Sequence, residues 1–195
     1  MGNNILKKNI FYFIFILFIF ILDRVTKLWI ISIFNSENNL EIKISSFINL
    51  HLIWNKGIAF GLFSYGEKFE YNLLTGLIIM IISIVFWMTI KTKGLEKYGF
   101  LMILGGALGN IFDRLYYSAV PDFIDIYYKN FHWFVFNVAD IFITVGVLML
   151  IINEITIYAR NYTSLHNILW WLHQLKANKE VFITQITCRV CNIFF

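Results

Sequence analysis

Two aspartates, Asp122 and Asp140, lie in separate segments of the chain and have the residue type needed for acid–base chemistry. Val120-Pro121 directly precedes Asp122, and a proline forces extended backbone on the residue before it. Two carboxylates that lie close together cannot both ionise easily, so they share one proton. The charged one can take a proton from water, while the neutral one polarises a carbonyl and later protonates a leaving amine. The pair therefore predicts peptide hydrolysis without a nucleophilic side chain or a metal.

Asp140 also has a structural explanation. Asn137 stands where a helix would begin, and a carboxylate three residues later complements the helix dipole. Taken alone, this capping accounts for Asp140 about as well as chemistry does. It does not account for a second acid at the same level, and we expect Asp122 and Asp140 at the outer ends of the last two helices of the membrane protein predicted below. The sequence has no Gly-x-Ser-x-Gly, His-Glu-x-x-His, P-loop or Cys-His pairing that would indicate another reaction. We expect its four histidines to be structural or interfacial.

A second group of charges lies in the first apolar stretch. Asp23 and Lys27 are four residues apart with the acid first, which is the favourable order for a helical ion pair. We interpret them as a structural pair that snorkels at the membrane interface. Two more acids, Asp113 and Asp125, are expected on the same outer side of the membrane, and we predict only weaker or folding-related roles for them.

A third motif covers residues 105–114, Gly-Gly-Ala-Leu-Gly-Asn-Ile-Phe-Asp-Arg. Gly105 and Gly109 form a small-xxx-small face, which lets the backbone of another helix approach closely. Packing explains the glycines, but it does not explain the three polar residues that follow on a shared face: Asn110, Asp113 and Arg114.

The composition is that of a membrane protein. Of the 195 residues, 59% are hydrophobic and 14% are charged, with 21 phenylalanines and a mean hydropathy of +0.69. An average soluble domain is about 45–50% apolar and about 25% charged. The net charge of +4 is too small and too scattered to indicate nucleic-acid binding. Cys188 and Cys191 form a lone Cys-x-x-Cys in the tail, so we predict neither a metal nor a cofactor.

Four apolar stretches approach the roughly 20 residues that a membrane span requires. They run over about 10–33, 71–90, 99–113 and 138–158. The first lacks the small-x-small site of a cleaved signal peptide, so we expect it to be retained. The sequence therefore predicts an all-α membrane protein with four transmembrane helices.

Basic residues mark one side of these four helices. They precede the first helix, join the second to the third, and follow the fourth: Lys7, Lys8, Lys91, Lys93, Lys97 and Arg160. By the positive-inside rule this side is cytoplasmic, which places both termini inside and the loops at about 35–70 and 115–137 outside. We therefore expect a multi-pass protein in contact with the lipid bilayer, with most of its acids on the outer side.

The first outer loop and the tail differ from the helices. Residues 40–44 alternate apolar and polar, and residues 47–54 are rich in β-branched and aromatic side chains, so both predict short strands. We expect a small extracytoplasmic β-sheet on the outer membrane surface. Residues 161–195 predict an interfacial amphipathic helix of unknown role, and a fifth span is poorly supported. We assign residues 1–160 to the transmembrane domain and 161–195 to a tail.

Four blocks of the sequence closely resemble the signature blocks of bacterial lipoprotein signal peptidases (signal peptidase II), a family of aspartic peptidases. They are Asn-Lys-Gly-Ile-Ala-Phe at 55–60, the 105–114 motif, Val-Pro-Asp-Phe-Ile-Asp at 120–125 and Phe-Asn-Val-Ala-Asp at 136–140. Asp23 and Lys27 fit the family's first-helix motif, whereas Lys56 and Pro121 are unusual choices within matching blocks.

The resemblance implies a four-helix enzyme of the bacterial inner membrane whose active site faces outward. Such an enzyme cuts diacylglyceryl-modified prolipoproteins just before the lipidated cysteine, with globomycin as its typical inhibitor. By position, Asp122 and Asp140 match the catalytic pair. The residues that match the surroundings of the pocket are Asp23, Lys27, Asn55, Gly109, Asn110, Arg114 and Asn137. The alternative is a non-enzymatic transporter or proton-relay bundle, which would place acids near the bilayer midplane and often in repeated halves. Here the acids cluster at one face.

Overall fold

The computed structural model describes residues 2–36, 41–57, 68–129 and 131–161. These residues form four helices and four strands. In chain order they are α1 (Gly2–Ser36), β1 (Ile42–Lys43), β2 (Ile48–Asn55), α2 (Lys68–Lys91), α3 (Gly94–Tyr117), β3 (Val120–Tyr128), β4 (Phe131–Phe136) and α4 (Val138–Asn161).

The chain divides into two compact units, Met1–Leu150 and Ile151–Phe195. Of the second unit, the structure describes 151–161, which are helical. The amphipathic helix and the tail boundary that we expected beyond residue 160 lie outside the described residues. They stay predictions.

All four apolar stretches are helical, and each helix extends beyond the stretch that predicted it. Within the described residues, the segments Tyr71–Lys91 of α2 and Val138–Ala159 of α4 are long and apolar enough to cross a membrane. Helices α1 and α3 carry more charge along their length, so four membrane spans are not established by length and composition. Large apolar side chains lie exposed on α1 and α2, for example Phe13 and Leu73. Such a surface is typical of contact with lipid.

Glycines allow α3 to pack closely against two other helices. A Cβ atom on Gly105 would lie 2.9 Å from the Cβ atom of Ile19 in α1. On the α4 side, a Cβ atom on Gly106 would lie 2.5 Å from the carbonyl oxygen of Ala139. The small-residue pattern thus predicted a close approach correctly, and α3 makes one on each side.

The four strands form one antiparallel sheet in the order β1-β2-β3-β4. The two strands predicted in the first outer loop correspond to β1 and β2. The sheet is not confined to that loop, because β3 and β4 come from the second outer loop, where we predicted no strand. The physical reason is local. Helix α3 ends at Ser118 in the left-handed region, with φ of 56°, and the Val120-Pro121 step then starts an extended strand.

Asp122 consequently lies on β3 and not at the outer end of a helix, as we had expected. A bulge lies directly beside it. Between the pairs Leu50↔Ile124 and Ile53↔Asp122, strand β2 has two residues opposite a single residue of β3. Bulges of this kind bend a strand and increase its twist, and they are frequent next to active sites.

The glycine contacts predict a difference between two substitutions of the same type. Gly106→Ala should lower the free energy of unfolding by about 1–3 kcal/mol, because its Cβ atom meets backbone of α4 that cannot move aside. Gly76→Ala in α2 should be neutral or stabilise by up to about 1 kcal/mol, since nothing lies within 4 Å of its Cβ position. Thermal unfolding in detergent micelles measures both, and equal stability of the two variants would contradict this packing.

Candidate active site

Asn137 joins the two aspartates. Its Oδ1 atom accepts a hydrogen bond from the backbone N–H of Asp140 at 3.1 Å, and its own backbone N–H donates to Asp140 Oδ2 at 3.1 Å. This is a reciprocal cap at the start of α4, as the sequence predicted. The side-chain nitrogen of Asn137 also donates to Asp122 Oδ1 at 2.6 Å. One residue therefore caps the helix and holds both carboxylates at the same place.

Two other asparagines hold the remaining carboxylate oxygens. Asn55 Nδ2 donates to Asp122 Oδ2 at 2.9 Å, and Asn110 Nδ2 donates to Asp140 Oδ1 at 2.8 Å. Each oxygen of the pair therefore accepts a bond from an asparagine, through a side-chain amide or, in one case, a backbone N–H. Amide donors orient a carboxylate without placing a full positive charge against it, so the pair can still hold a proton.

Lys27 fixes the orientation of Asn110. Its Nζ atom donates to Asn110 Oδ1 at 2.8 Å, and the residue is fully buried. An ammonium group is only a donor, so the amide oxygen of Asn110 must face it and the amide nitrogen must face Asp140. The same Nζ atom lies 2.7 Å from Asp113 Oδ2 and 2.9 Å from Asp23 Oδ2. The buried cation is thus matched by two acids.

Arg24 is part of this cluster, and the sequence analysis missed it. Its guanidinium donates to both carboxylate oxygens of Asp113, with Nη2 2.6 Å from Oδ2, and to Asp23 Oδ2 at 2.9 Å. The signal was available, since Arg24 is three residues before Lys27 and so lies on a neighbouring part of the same helix face. Asp113, for which we predicted a weaker or folding-related role, lies at the centre of the cluster.

Asp23 ties α1 to the start of α4. Its Oδ1 atom accepts the backbone N–H of Ala139 at 3.0 Å. Gly109 leaves room for this carboxylate, because a Cβ atom there would lie 2.5 Å from Asp23 Oδ2. The predicted ion pair of Asp23 with Lys27 is present, but the idea that it snorkels at the interface is wrong: both residues are fully buried between α1 and α3.

Arg114 holds the end of β2 rather than the aspartates themselves. Its Nη2 atom donates to the carbonyl oxygen of Gly57, and Gly57 in turn donates its N–H to Asn55 Oδ1 at 2.8 Å. Tyr71 of α2 donates its hydroxyl to the carbonyl of Arg114 at 3.0 Å. Arg114 therefore supports Asn55 through Gly57. Residues 58–67, which include the rest of the first signature block, lie outside the described residues.

A cavity of about 400 Å³ opens at the two aspartates. Its other walls are almost entirely apolar and come from β3, β4 and the first turns of α4: Ile126, Phe134, Val135, Phe136, Ile141, Ile143, Thr144 and Val145. Burial first, and then the charge of Asp140, raise the pKa of Asp122 to about 6. A carboxyl with such a pKa can act as an acid or a base near neutral pH.

Asp125 belongs to a separate pair on the opposite face of β3. Its Oδ2 atom lies 2.6 Å from His132 Nδ1. In the part of the chain that the structure describes, no group of three or more His, Cys, Asp or Glu side chains has the arrangement of a metal site. Cys188 and Cys191 lie outside that part.

Residues 15–156 match a family model described as Signal peptidase (SPase) II. The lipoprotein signal peptidase of Pelagibacter ubique (strain HTCC1062) is 51% identical over 154 residues, which cover 78% of this chain and 93% of that protein. The lipoprotein signal peptidase of Cupriavidus necator is 37% identical over 143 residues, covering 72% of this chain and 81% of that protein.

Solved structures give the same result for the fold. A bacterial membrane enzyme solved by the in meso method matches with a TM-score of 0.62 and 25% identity, covering 78% of this chain and 92% of its own. A second bacterial membrane enzyme matches with a TM-score of 0.58 and 27% identity, covering 73% of this chain and 91% of its own.

The buried cluster predicts that Lys27 is needed for stability. Lys27→Met leaves Arg24 as the one remaining cation in the cluster for the carboxylates of Asp23 and Asp113. The free energy of unfolding should therefore fall by about 3–5 kcal/mol. Lys43→Met, which removes an exposed lysine from β1, should change stability by less than about 0.5 kcal/mol. Thermal unfolding in micelles compares the two, and a stable Lys27→Met variant would show that the cluster is not required.

Proposed function

The chain belongs to the signal peptidase II family and is a peptidase, and on this premise we propose that it removes signal peptides from lipoprotein precursors. The substrates would be prolipoproteins whose cysteine already carries diacylglycerol, cut at the amide before that cysteine. This proposal is supported by the names of the relatives and by the sequence blocks that resemble the family. The non-enzymatic transporter or proton-relay bundle is not favoured, since the matched relatives are peptidases.

The catalytic pair in this proposal is Asp122 and Asp140. The observation that carries it is that Asn137 binds both carboxylates, the buried Asp122 and the half-buried Asp140, at an apolar cavity. With one proton on the pair, the charged carboxylate takes a proton from a water molecule, whose oxygen attacks the scissile carbonyl carbon. The neutral carboxyl polarises the carbonyl oxygen. When the C–N bond breaks, a proton from the pair passes to the leaving amine, and the pair again holds one proton.

The cavity walls fit a substrate that is mostly apolar. A cavity of about 400 Å³ is within the usual range for ligand sites, and polar groups at its mouth fix the orientation of a ligand. Apart from Thr144, the aspartates supply the polar side chains of this lining. We propose that apolar residues of the signal peptide or a lipid chain occupy the cavity and exclude bulk water from the scissile bond.

The remaining site residues position the two aspartates. Asn55, Asn110 and Asn137 orient the carboxylates, and Lys27 orients Asn110. We propose that the other three provide the support for these groups, through the contacts described above: Asp23, Gly109 and Arg114.

We propose that all four helices cross the bacterial inner membrane, with both termini cytoplasmic and the site facing outward. The ion pairs of Arg24 and Lys27 in α1 support this, because these side chains turn inward to Asp113 of α3 and would not face lipid. Lysines mark the opposite end, where α2 ends at Lys91 and Lys93 precedes α3. A basic connection on that side is typical of a cytoplasmic loop.

Removing either carboxylate should abolish the reaction. Asp122→Asn and Asp140→Asn keep the shape of the side chain but cannot share the proton. Each should therefore lower the cleavage rate by about 10²–10⁴-fold, the usual contribution of an acid–base group. A gel-shift assay with a purified diacylglyceryl prolipoprotein measures this, with globomycin as the expected inhibitor. Near-normal turnover in either variant would rule out the assignment.

Two aspartate-to-asparagine variants outside the pair are the matched controls. Asp113→Asn should lower thermal stability, because it weakens the contacts to Arg24 and Lys27, while the folded fraction retains cleavage. Asp125→Asn, on the other face of β3, should retain cleavage as well.

The raised pKa of Asp122 predicts the direction of the pH dependence. Above about 6 the pair loses its shared proton, so kcat/KM for the free enzyme should fall as the pH rises through that pKa. The hydrogen bond from Asn55 favours the charged form and lowers this pKa. Asn55→Ala should therefore raise the pH at which kcat/KM falls, which is the falling limb of the pH profile.

The control for this profile is His132→Gln, which removes an imidazole that contacts Asp125 and not the pair. Its falling limb should stay in place. If Asn55→Ala leaves the limb unchanged, or if His132→Gln moves it, Asp122 is not the group that titrates.

A further inference from the structure

Both hairpin connections of the sheet lie at the end away from α3 and α4. Strand β3 begins three residues after α3 ends, and β4 leads directly into α4, so the connection between Tyr128 and Phe131 lies at the far end. The β1–β2 turn lies at the same end, because Tyr127 donates its N–H to Phe47 O and its hydroxyl to Ser45 O, both at 3.0 Å. At roughly 3.3 Å per residue, the nine-residue β3 places this end about 25–30 Å from α3.

The side chains at this hairpin end are large, apolar and exposed. Five of them expose between 56% and 64% of their surface. They are Ile44, Phe47, Tyr128, Phe131 and Trp133. A sheet end that projected into water would have no reason to carry such a patch.

Four of these side chains form one continuous surface. The ring of Phe47 stacks on that of Tyr128, with centroids 6.3 Å apart. Tyr128 and Phe131 are cross-strand neighbours in the β3–β4 register. Phe131 in turn meets Trp133 edge to face, with centroids 6.0 Å apart. The aromatic residues of both hairpins are therefore joined into a single patch.

The charge around the patch is positive. Residues 43–48 and 127–133 contain two lysines and no acid. Lys129 has a φ of 55°, and its Nζ atom lies 5.5 Å from the centroid of the Tyr128 ring. Lys43 is exposed on β1. Trp and Tyr together with Lys are the side chains found where the headgroups of a bilayer meet its acyl chains, since they bury a ring and keep a cation near phosphate.

We infer that the hairpin end of the sheet is a second membrane anchor, which inserts its aromatic side chains into the lipid boundary at some distance from the helices. The occupant of the patch is phospholipid, because a lysine-flanked aromatic surface complements anionic phosphates and acyl chains together. A sheet held at both ends would lie along the membrane surface, so the cavity beside β3 and β4 would open toward lipid. This inference rests on the membrane placement proposed above, but not on the catalytic role of the aspartates.

Site-directed spin labelling of the full chain tests the anchor. Cys188→Ser and Cys191→Ser remove the native thiols, and single cysteines are introduced by Phe131→Cys or Trp133→Cys. The labelled protein is placed in vesicles of phosphatidylethanolamine and phosphatidylglycerol. Power saturation then compares collision of each label with oxygen, which is enriched in lipid, and with a nickel chelate, which stays in water. Labels at 131 and 133 should collide with nickel severalfold less often than with oxygen.

Two further label positions make the outcome decisive. A label introduced by Glu41→Cys, an exposed acidic position directly before β1 and outside the aromatic patch, should meet nickel freely. A label introduced by Met80→Cys, exposed in the middle of the α2 span, should meet oxygen and not nickel.

Nickel access at 131 and 133 equal to that at 41, with lipid contact at 80, would overturn the anchor and leave the membrane placement intact. Nickel access at 80 would overturn the membrane placement and the anchor with it. Protection of 131 and 133 from both reagents would mean that protein covers the patch, which also overturns the inference.

Discussion

The buried ammonium group of Lys27 is the interaction on which the rest of the site depends. A charge removed from water must be matched by acceptors, and Lys27 finds them in Asp23, Asp113 and Asn110. Those acceptors come from both α1 and α3, so the charge holds the two helices in one register. Because Asn110 then presents its amide nitrogen to Asp140, the same charge also sets the orientation of a carboxylate at the cavity.

The site separates full charges from the reacting groups by one layer of amides. Cations contact Asp23 and Asp113, whereas the donors that contact the two cavity aspartates are asparagine amides. A lysine or arginine directly on Asp122 would favour its charged form and lower its pKa. With amide donors instead, burial is the dominant effect and the pKa rises to about 6. The arrangement positions two carboxylates firmly while allowing them to keep a proton.

Much of this arrangement could be predicted from local sequence. Asn137 with Asp140 is a capping pattern within four residues, and Gly105 with Gly109 is a packing pattern within one helix turn. Partners from distant segments were harder to predict. Arg24 and Asp113 are 89 residues apart in the chain, and no local pattern connects them. Strands β3 and β4 were missed because the second outer loop was interpreted by its acids. Its β-branched and aromatic residues at 123–128 and the aromatic run at 131–136 are nevertheless typical of strands. The bulge beside Asp122 depends on the register of β2 and β3, which no local sequence pattern determines.

Infrared titration of the carboxyl groups tests most directly whether Asp122 and Asp140 share one proton. Protein labelled with ¹³C at the aspartate carboxyl would be titrated in micelles between acidic and alkaline pH. We expect a protonated carboxyl signal that disappears near pH 6 and is absent in Asp122→Asn. In Asp140→Asn it should move to lower pH, because the charge of Asp140 helps to raise the pKa of Asp122. A signal near pH 6 that persists unchanged in both variants would show that Asp122 and Asp140 do not share a proton.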